Sequence, residues 1–144
     1  MSYVKIWIHT VWGTKNRKPI LTPDVRINLF SHIKENEEEK GNYIDFINGY
    51  FDHAHCLCLL NANRSIATLM QNIKGESSHW ANQQHLLKEK LIWADEYYAA
   101  SVSESQVEKV RNYIRNQEAH HRKKTFEQEC DEFIRKYGFT KGQG

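Results

Sequence analysis

The chain has 144 residues, 40% hydrophobic and 26% charged, with a formal net charge of +2. That length suits one domain with a real core, and no stretch approaches the roughly 18 apolar residues of a membrane span. Three cysteines make no disulfide framework, and the N-terminal residues lack the basic–apolar–small pattern of a secretion signal, so a cytoplasmic protein without a membrane partner is expected.

Residues 3–12 (YVKIWIHTVW) alternate and are rich in β-branched and aromatic side chains, the pattern of a strand. Lys15, Arg17 and Lys18 follow. Thr22 can cap a helix that Pro23 opens and whose dipole Asp24 suits; it should run to about Lys40 and stop at Gly41. Its acidic end, ENEEEK (35–40), reads as solvated. Residues 43–49 (YIDFING) and 53–60 (HAHCLCLL) read as a hairpin of two strands, with His53 near the turn. From Ser65, the residues Ile66, Leu69, Met70, Ile73 and Trp80 fall on one helical face. Gly75 within that pattern points to a break or to close approach of another backbone.

Residues 91–103 (LIWADEYYAASVS) hold a short strand and a loop. A helix starts at SESQVEKV, where Ser103–Gln106 or Ser105–Glu108 can form a capping box; Val107, Val110 and Ile114 are its buried stripe. An amphipathic segment over 126–137 ends the fold, before a tail (138–144) expected to fray. A single domain over 1–144 with an α+β architecture is expected, one mainly antiparallel sheet with helices packed on it.

Residues two apart on a strand share a face. His53 and His55 therefore project together with Leu57 and Leu59, while Ala54, Cys56 and Cys58 project the other way. A zinc site, buried core histidines and the metal end of an active site are all open. Tetrahedral Cys/His zinc needs converging ligands, which these opposed faces do not provide, and the cysteines suit small buried apolar positions. In VRNYIRNQEAHH (110–121), Tyr113 and Gln117 are four apart and share one side of a helix, bordering the buried stripe and near solvent. If that helix covers the histidines, Gln117 can supply a third ligand with Tyr113 beside it; otherwise Tyr113 is packing and Gln117 a surface amide. Two basic segments, one ending at Lys18 and one over 107–124, suggest a phosphate-binding face or simply a solvated surface.

Five pieces stand in order along the chain: HTVWGTKNRKPIL (9–21), DHAHCL (52–57), IKGESSHW (73–80), SVSES (101–105) and YIRNQEAHH (113–121). Together they resemble the insertion-sequence-200-like single-tyrosine HUH transposases and their relatives, the REP-associated tyrosine transposases. The resemblance implies a ferredoxin- or RRM-like sheet and a homodimer whose tyrosine helix can serve the partner's histidine pair. It implies an enzyme that cuts and rejoins single-stranded DNA beside small hairpins through a 5′-phosphotyrosine. Position by position, His53, His55 and Gln117 would hold Mg²⁺ or Mn²⁺ and Tyr113 would be the nucleophile. His120 or His121 either assists it or belongs to a solvated helix face. Lys15, Arg17 and Lys74 are expected on phosphates, with Arg115 and Arg122 behind them; Trp12 either stacks on an unpaired base or is core. The chain departs from the family pattern over 94–100 (ADEYYAA), at Ala94, Glu96 and Ala99, and has small residues at Ala54 and Cys56. Two alternatives stand beside this reading. One is a catalytically silent nucleic-acid-binding module of the same fold, whose mark would be loss of Tyr113, a histidine or Gln117. The other is a small zinc-binding protein.

Overall fold

Four strands alternate with helices in the computed structural model, which describes residues 2–138. Strands β1 (Trp7–Gly13), β2 (Tyr43–Tyr50), β3 (His53–Leu59) and β4 (Tyr98–Val102) form one sheet in the order β2-β3-β1-β4. Every pairing in it is antiparallel. Helix α1 (Pro23–Glu39) follows β1 and α2 (Ile66–Gln83) follows β3. This βαββαβ order is the split arrangement of ferredoxin-like sheets, as the family resemblance implied. Helices α3 (Val107–Arg115), α4 (Gln117–His121) and α5 (Phe126–Tyr137) complete the described chain. Gly138 ends α5 in the left-handed region, with φ of 62°; the rest of the expected tail, 139–144, lies outside the described residues.

Pairing, not alternation, sets where β1 begins. Trp7 faces Leu59, the last residue of β3, and beyond it only the Leu60 N–H reaches back to the Ile6 carbonyl at 2.8 Å. The expected strand over 3–12 is therefore shortened at its start, leaving Tyr3 90% exposed. The first two helices begin as their caps indicate. Thr22 Oγ1 accepts from the Val25 N–H at 3.4 Å, and Ser65 Oγ accepts from the Thr68 N–H at 3.1 Å. Two expectations change. Glu37, within the acidic run, turns inward and accepts from Asn42 Nδ2 at 2.7 Å. Helix α2 runs unbroken through Gly75, where an added Cβ would meet nothing within 4 Å. There is neither break nor close approach; the buried row of Leu69, Met70 and Ile73 offsets a glycine penalty of about 1 kcal/mol.

The two sheet faces are covered differently. Helices α1 and α2 pack with Ile8, Trp12, Ala54, Cys56 and Cys58. Trp12 is 1% exposed, edge-on to Trp93 at 6.0 Å, so it is a core residue and presents no surface on which a base can stack. On the opposite face Leu57 and Trp7 meet Val107 and Ile114 of α3, and Val11 meets Phe126, Cys130 and Phe133 of α5. Neither expected capping box forms ahead of α3, because Glu104, Ser105 and Gln106 make a 3-10 turn without side-chain caps. Glu104 instead accepts from Trp7 Nε1 at 2.6 Å. The capping box occurs at α5, between Thr125 and Gln128.

Candidate metal and tyrosine site

Strand alternation places the residues of β3 as the sequence indicated. His53 and His55 are fully buried on the face that α3, α4 and α5 cover, and the cysteines lie beneath α1 and α2. Neighbouring β1 adds His9, whose Nε2 lies 2.9 Å from His55 Nδ1.

Residues 107–121 are not one helix. Asn116, with φ of −96° and ψ of 27°, separates α3 from α4. Helix ends leave carbonyls unpaired; here Asn48 of β2 donates through Nδ2 to the Ile114 and Arg115 carbonyls at 2.9 and 3.3 Å, anchoring the break to the sheet. Gln117 consequently is fully buried, not near solvent. Its Oε1 lies 3.1 Å from His53 Nε2 and 3.1 Å from His121 Nε2. The end of the tyrosine segment is not a solvated face either: the His121 side chain is 2% exposed.

At the centre stands a residue that the sequence reading missed. Glu129 of α5 is 1% exposed. Its Oε1 lies 3.1 Å from the Nε2 atoms of both His53 and His55, and 3.3 Å from that of His121. Its Oε2 accepts the Tyr113 hydroxyl and lies 3.2 Å from His120 Nε2. The signal was present: Phe126, Glu129 and Phe133 follow i, i+3, i+7 spacing, so a glutamate occupies an apolar stripe. Phe126 stacks on His53 at 4.1 Å between ring centres. Gly13 makes room for it, since a Cβ there would come within 2.7 Å of the Phe126 ring.

The outer nitrogens of two imidazoles are anchored. Asp52 Oδ1 accepts from His53 Nδ1 at 2.7 Å, and the Lys124 carbonyl accepts from His121 Nδ1 at 2.7 Å. Both contacts aim Nε2 inward, the arrangement seen for imidazoles that bind metals. Burial is the largest influence on His9, His53, His55, Tyr113 and Glu129. It carries His55 down to about 4 despite its Glu129 contact, and His9 well below its usual value. On His53 the Asp52 and Glu129 hydrogen bonds outweigh burial and raise the imidazole. Burial also opposes charge on Glu129, but contacts with His121, His53 and His55 prevail and hold it well below the usual carboxylate range. Burial and the adjacent Glu129 push the Tyr113 phenol well above its usual value.

This donor set fits a divalent cation. Adjacent ligands around an ion bonded at about 2.0–2.1 Å stand about 3 Å apart, close to the 3.1 Å separations from His53 Nε2 to Gln117 Oε1 and to Glu129 Oε1. Imidazole, amide and carboxylate donors suit Mn²⁺ at least as well as Mg²⁺.

The basic residues divide. Lys15 and Arg17 share an exposed turn, and Arg17 lies 5.9 Å from the Phe126 ring centre and 3.0 Å from Glu127 Oε2, next to α5. Arg115 ends α3, 5.5 Å from the Phe46 ring centre, and exposed Arg122 ends α4. Lys74 stands on α2, which packs on the other sheet face, with Nζ 2.9 Å from the Asp95 carbonyl; the fold does not bring it to the histidines. The divergent loop that supplies Asp95 also pairs with the end of β1, just before the first basic turn, through Ala94 N–H to the Gly13 carbonyl at 2.9 Å. A cleft of about 580 Å³ between β4, α3 and α5 reaches Tyr113 and is lined by Lys109 and Lys136. No helix among the described residues is long and apolar enough to cross a membrane.

A βαββαβ sheet that offers a histidine pair to a tyrosine-bearing helix defines a class of sheet-borne histidine–tyrosine sites. Residues 2–117 match the family model described as "Transposase IS200 like", and the chain belongs to that family. A candidate transposase from Deinococcus radiodurans R1 is similar in structure, with a TM-score of 0.63 and 25% identity, over 81% of this chain and 95% of that one. The REP-associated tyrosine transposase bound to a REP hairpin shares the fold, with a TM-score of 0.61 and 18% identity, over 84% of this chain and 72% of that one. No curated protein gives a significant match. Helix α5 lies beyond the residues matched to the family.

Proposed function

We propose that this chain cuts and rejoins single-stranded DNA beside hairpins, with Tyr113 as nucleophile and Mg²⁺ or Mn²⁺ held by His53, His55 and Gln117. One observation carries the reading. In a member of a transposase family, His53 and Gln117, 64 residues apart in sequence, meet in the buried site that also holds His55 and the Tyr113 hydroxyl. The hairpin bound to the structurally similar REP-associated transposase supports the substrate class.

In the proposed reaction Tyr113 Oη forms a bond to a backbone phosphorus as the bond from phosphorus to the 3′-oxygen breaks. The products are a 5′-phosphotyrosine and a free 3′ end. Attack by a 3′-hydroxyl reverses the step, and the covalent intermediate retains the phosphodiester energy, so no nucleotide cofactor is consumed. A bound cation would polarise a non-bridging oxygen and offset charge on the leaving oxygen. Burial raises the Tyr113 pKa, so attack requires an acceptor for the phenolic proton; Glu129 Oε2 and His120 Nε2 are both in contact with Oη. Lys15 and Arg17, on an exposed turn beside α5, would contact backbone phosphates entering the site, with Arg115 and Arg122 behind them. Histidines, glutamine and tyrosine meet within this one chain, and a homodimer that exchanges tyrosine helices would build the same site from two chains.

The test uses labelled hairpin oligonucleotides with single-stranded flanks and Mn²⁺, resolved on a denaturing gel. A covalent protein–DNA band that is absent in Tyr113→Phe is expected. Tight hairpin binding by the native chain without any adduct would favour the catalytically silent binding module.

A further inference from the structure

We propose that Glu129 is a fourth ligand of the cation through Oε1 and, through Oε2, the residue that positions the Tyr113 hydroxyl. The proposal rests on the metal reading above and adds an element that the family match, ending at Gln117, does not contain.

Three observations support it. Oε1 is equidistant, at 3.1 Å, from the two inward-facing imidazole nitrogens of β3, and Gln117 Oε1 stands at the same distance from His53. These are the separations of donors that share one ion. The carboxylate is buried in a stripe where a hydrophobic residue would pack at no electrostatic cost, and a buried charge is retained only with compensating partners. Finally, α5 is built to hold it. The Thr125–Gln128 capping box fixes the start of the helix, Phe126 stacks on His53, and Phe133 lies edge-on to His9 at 5.2 Å. Glu129 sits between those two anchors, with little freedom to be elsewhere.

One carboxylate then links the two halves of the site. Its inner oxygen adds a negative ligand to a set that is otherwise neutral once His53 binds metal through Nε2. Its outer oxygen holds Tyr113 Oη at the edge of the same site. Binding of the ion and orientation of the nucleophile depend on one side chain.

Calorimetric titration with Mn²⁺ tests this on the full chain, comparing native protein with Glu129→Gln, Glu129→Asp, His53→Ala and Tyr113→Phe. Thermal melts monitor folding. Loss of even a supporting partner lowers metal affinity about tenfold or more, so Glu129→Gln should lose at least that, and His53→Ala more. Glu129→Asp, which keeps the charge on a shorter arm, should lie between, and serves if the glutamine variant does not fold. Tyr113→Phe removes only a hydrogen bond to the outer oxygen of Glu129, so its loss of Mn²⁺ affinity should be smaller than that of Glu129→Gln. In metal-free protein the melting shifts of Tyr113→Phe and Glu129→Gln should be non-additive, because each removes the same hydrogen bond. Unchanged or tighter Mn²⁺ binding by the Glu129 variants, with His53→Ala still defective, would overturn the ligand role alone. No Mn²⁺ binding even by the native chain would overturn the metal reading and this proposal together.

Discussion

The two faces of β3 are equally buried and chemically opposite. His53 and His55 on one side, and Ala54, Cys56 and Cys58 on the other, are all 0–1% exposed. Beneath α1 and α2 the small residues need only close packing, and the cluster around them is mainly apolar, with Thr10 and Ser77 as buried hydroxyls and Ser77 accepting from Trp93 Nε1 at 3.0 Å. Under α3, α4 and α5 the imidazoles need partners, which come from Asp52, His9, Gln117 and Glu129. Burial alone therefore does not separate core from site; compensation of buried polar groups does. Replacing such a cluster with hydrophobic residues often leaves stability unchanged or improved, so this face is better explained by chemistry than by folding. The contrast predicts that damage to one face costs stability and damage to the other costs reaction.

The largest stability effect should come from the packing face. Met70 is fully buried on α2 within the cluster that includes Cys56 and Cys58. Met70→Ala should cost about 2–5 kcal/mol, the range for large-to-alanine changes in a core. Measured by denaturant unfolding, that loss should accompany near-native Mn²⁺ affinity at temperatures where the variant remains folded. A loss of metal affinity matching the loss of stability would show that the two faces are not independent.

Gly13→Ala is expected to be milder in stability but to reach the other face. The new Cβ would come within 2.7 Å of the Phe126 ring, the side chain that stacks on His53 and begins α5. Overpacking of this kind costs about 1–3 kcal/mol. Because Glu129 is one turn from Phe126, Mn²⁺ affinity should fall as well, reversing the pattern of Met70→Ala. Native affinity in a destabilised Gly13→Ala protein would mean that α5 yields without moving its carboxylate.

The same contrast explains what could be read in advance. Strand alternation separated the histidines from the cysteines because period-two geometry survives burial. The cap at Thr22 located α1 because its hydrogen bond is local, and the apolar face that follows Ser65 located α2. The family resemblance supplied roles for Tyr113 and Gln117. The break at Asn116 was not legible, since it is fixed by Asn48 from a distant strand. Glu129 was overlooked for a related reason: 74 residues separate it from His55, and only its place in an apolar stripe marked it. Trp12 sat beside a basic cluster in sequence yet belongs to the core, because β1 is a central strand covered on both sides.

The smallest expected effect separates the faces by charge. Arg17 is half-exposed and pairs with the still more exposed Glu127 beside α5, while Lys74 lies on α2 with its ammonium on the Asp95 carbonyl. An exposed ion pair contributes about 0–1 kcal/mol, so Arg17→Ala should hardly move the melting temperature. Its effect should appear on hairpin DNA: a contact to phosphate releases counterions, and losing one reduces the slope of log affinity against log salt by about 1. Lys74→Ala should leave that slope unchanged, because DNA approaching Tyr113 meets the α3–α5 side of the sheet. Fluorescence anisotropy across a salt series distinguishes the two variants. Equal reductions would mean that the bound strand also contacts the α2 side, and the division between a packing face and a reacting face would then apply to the protein's interior but not to its surface.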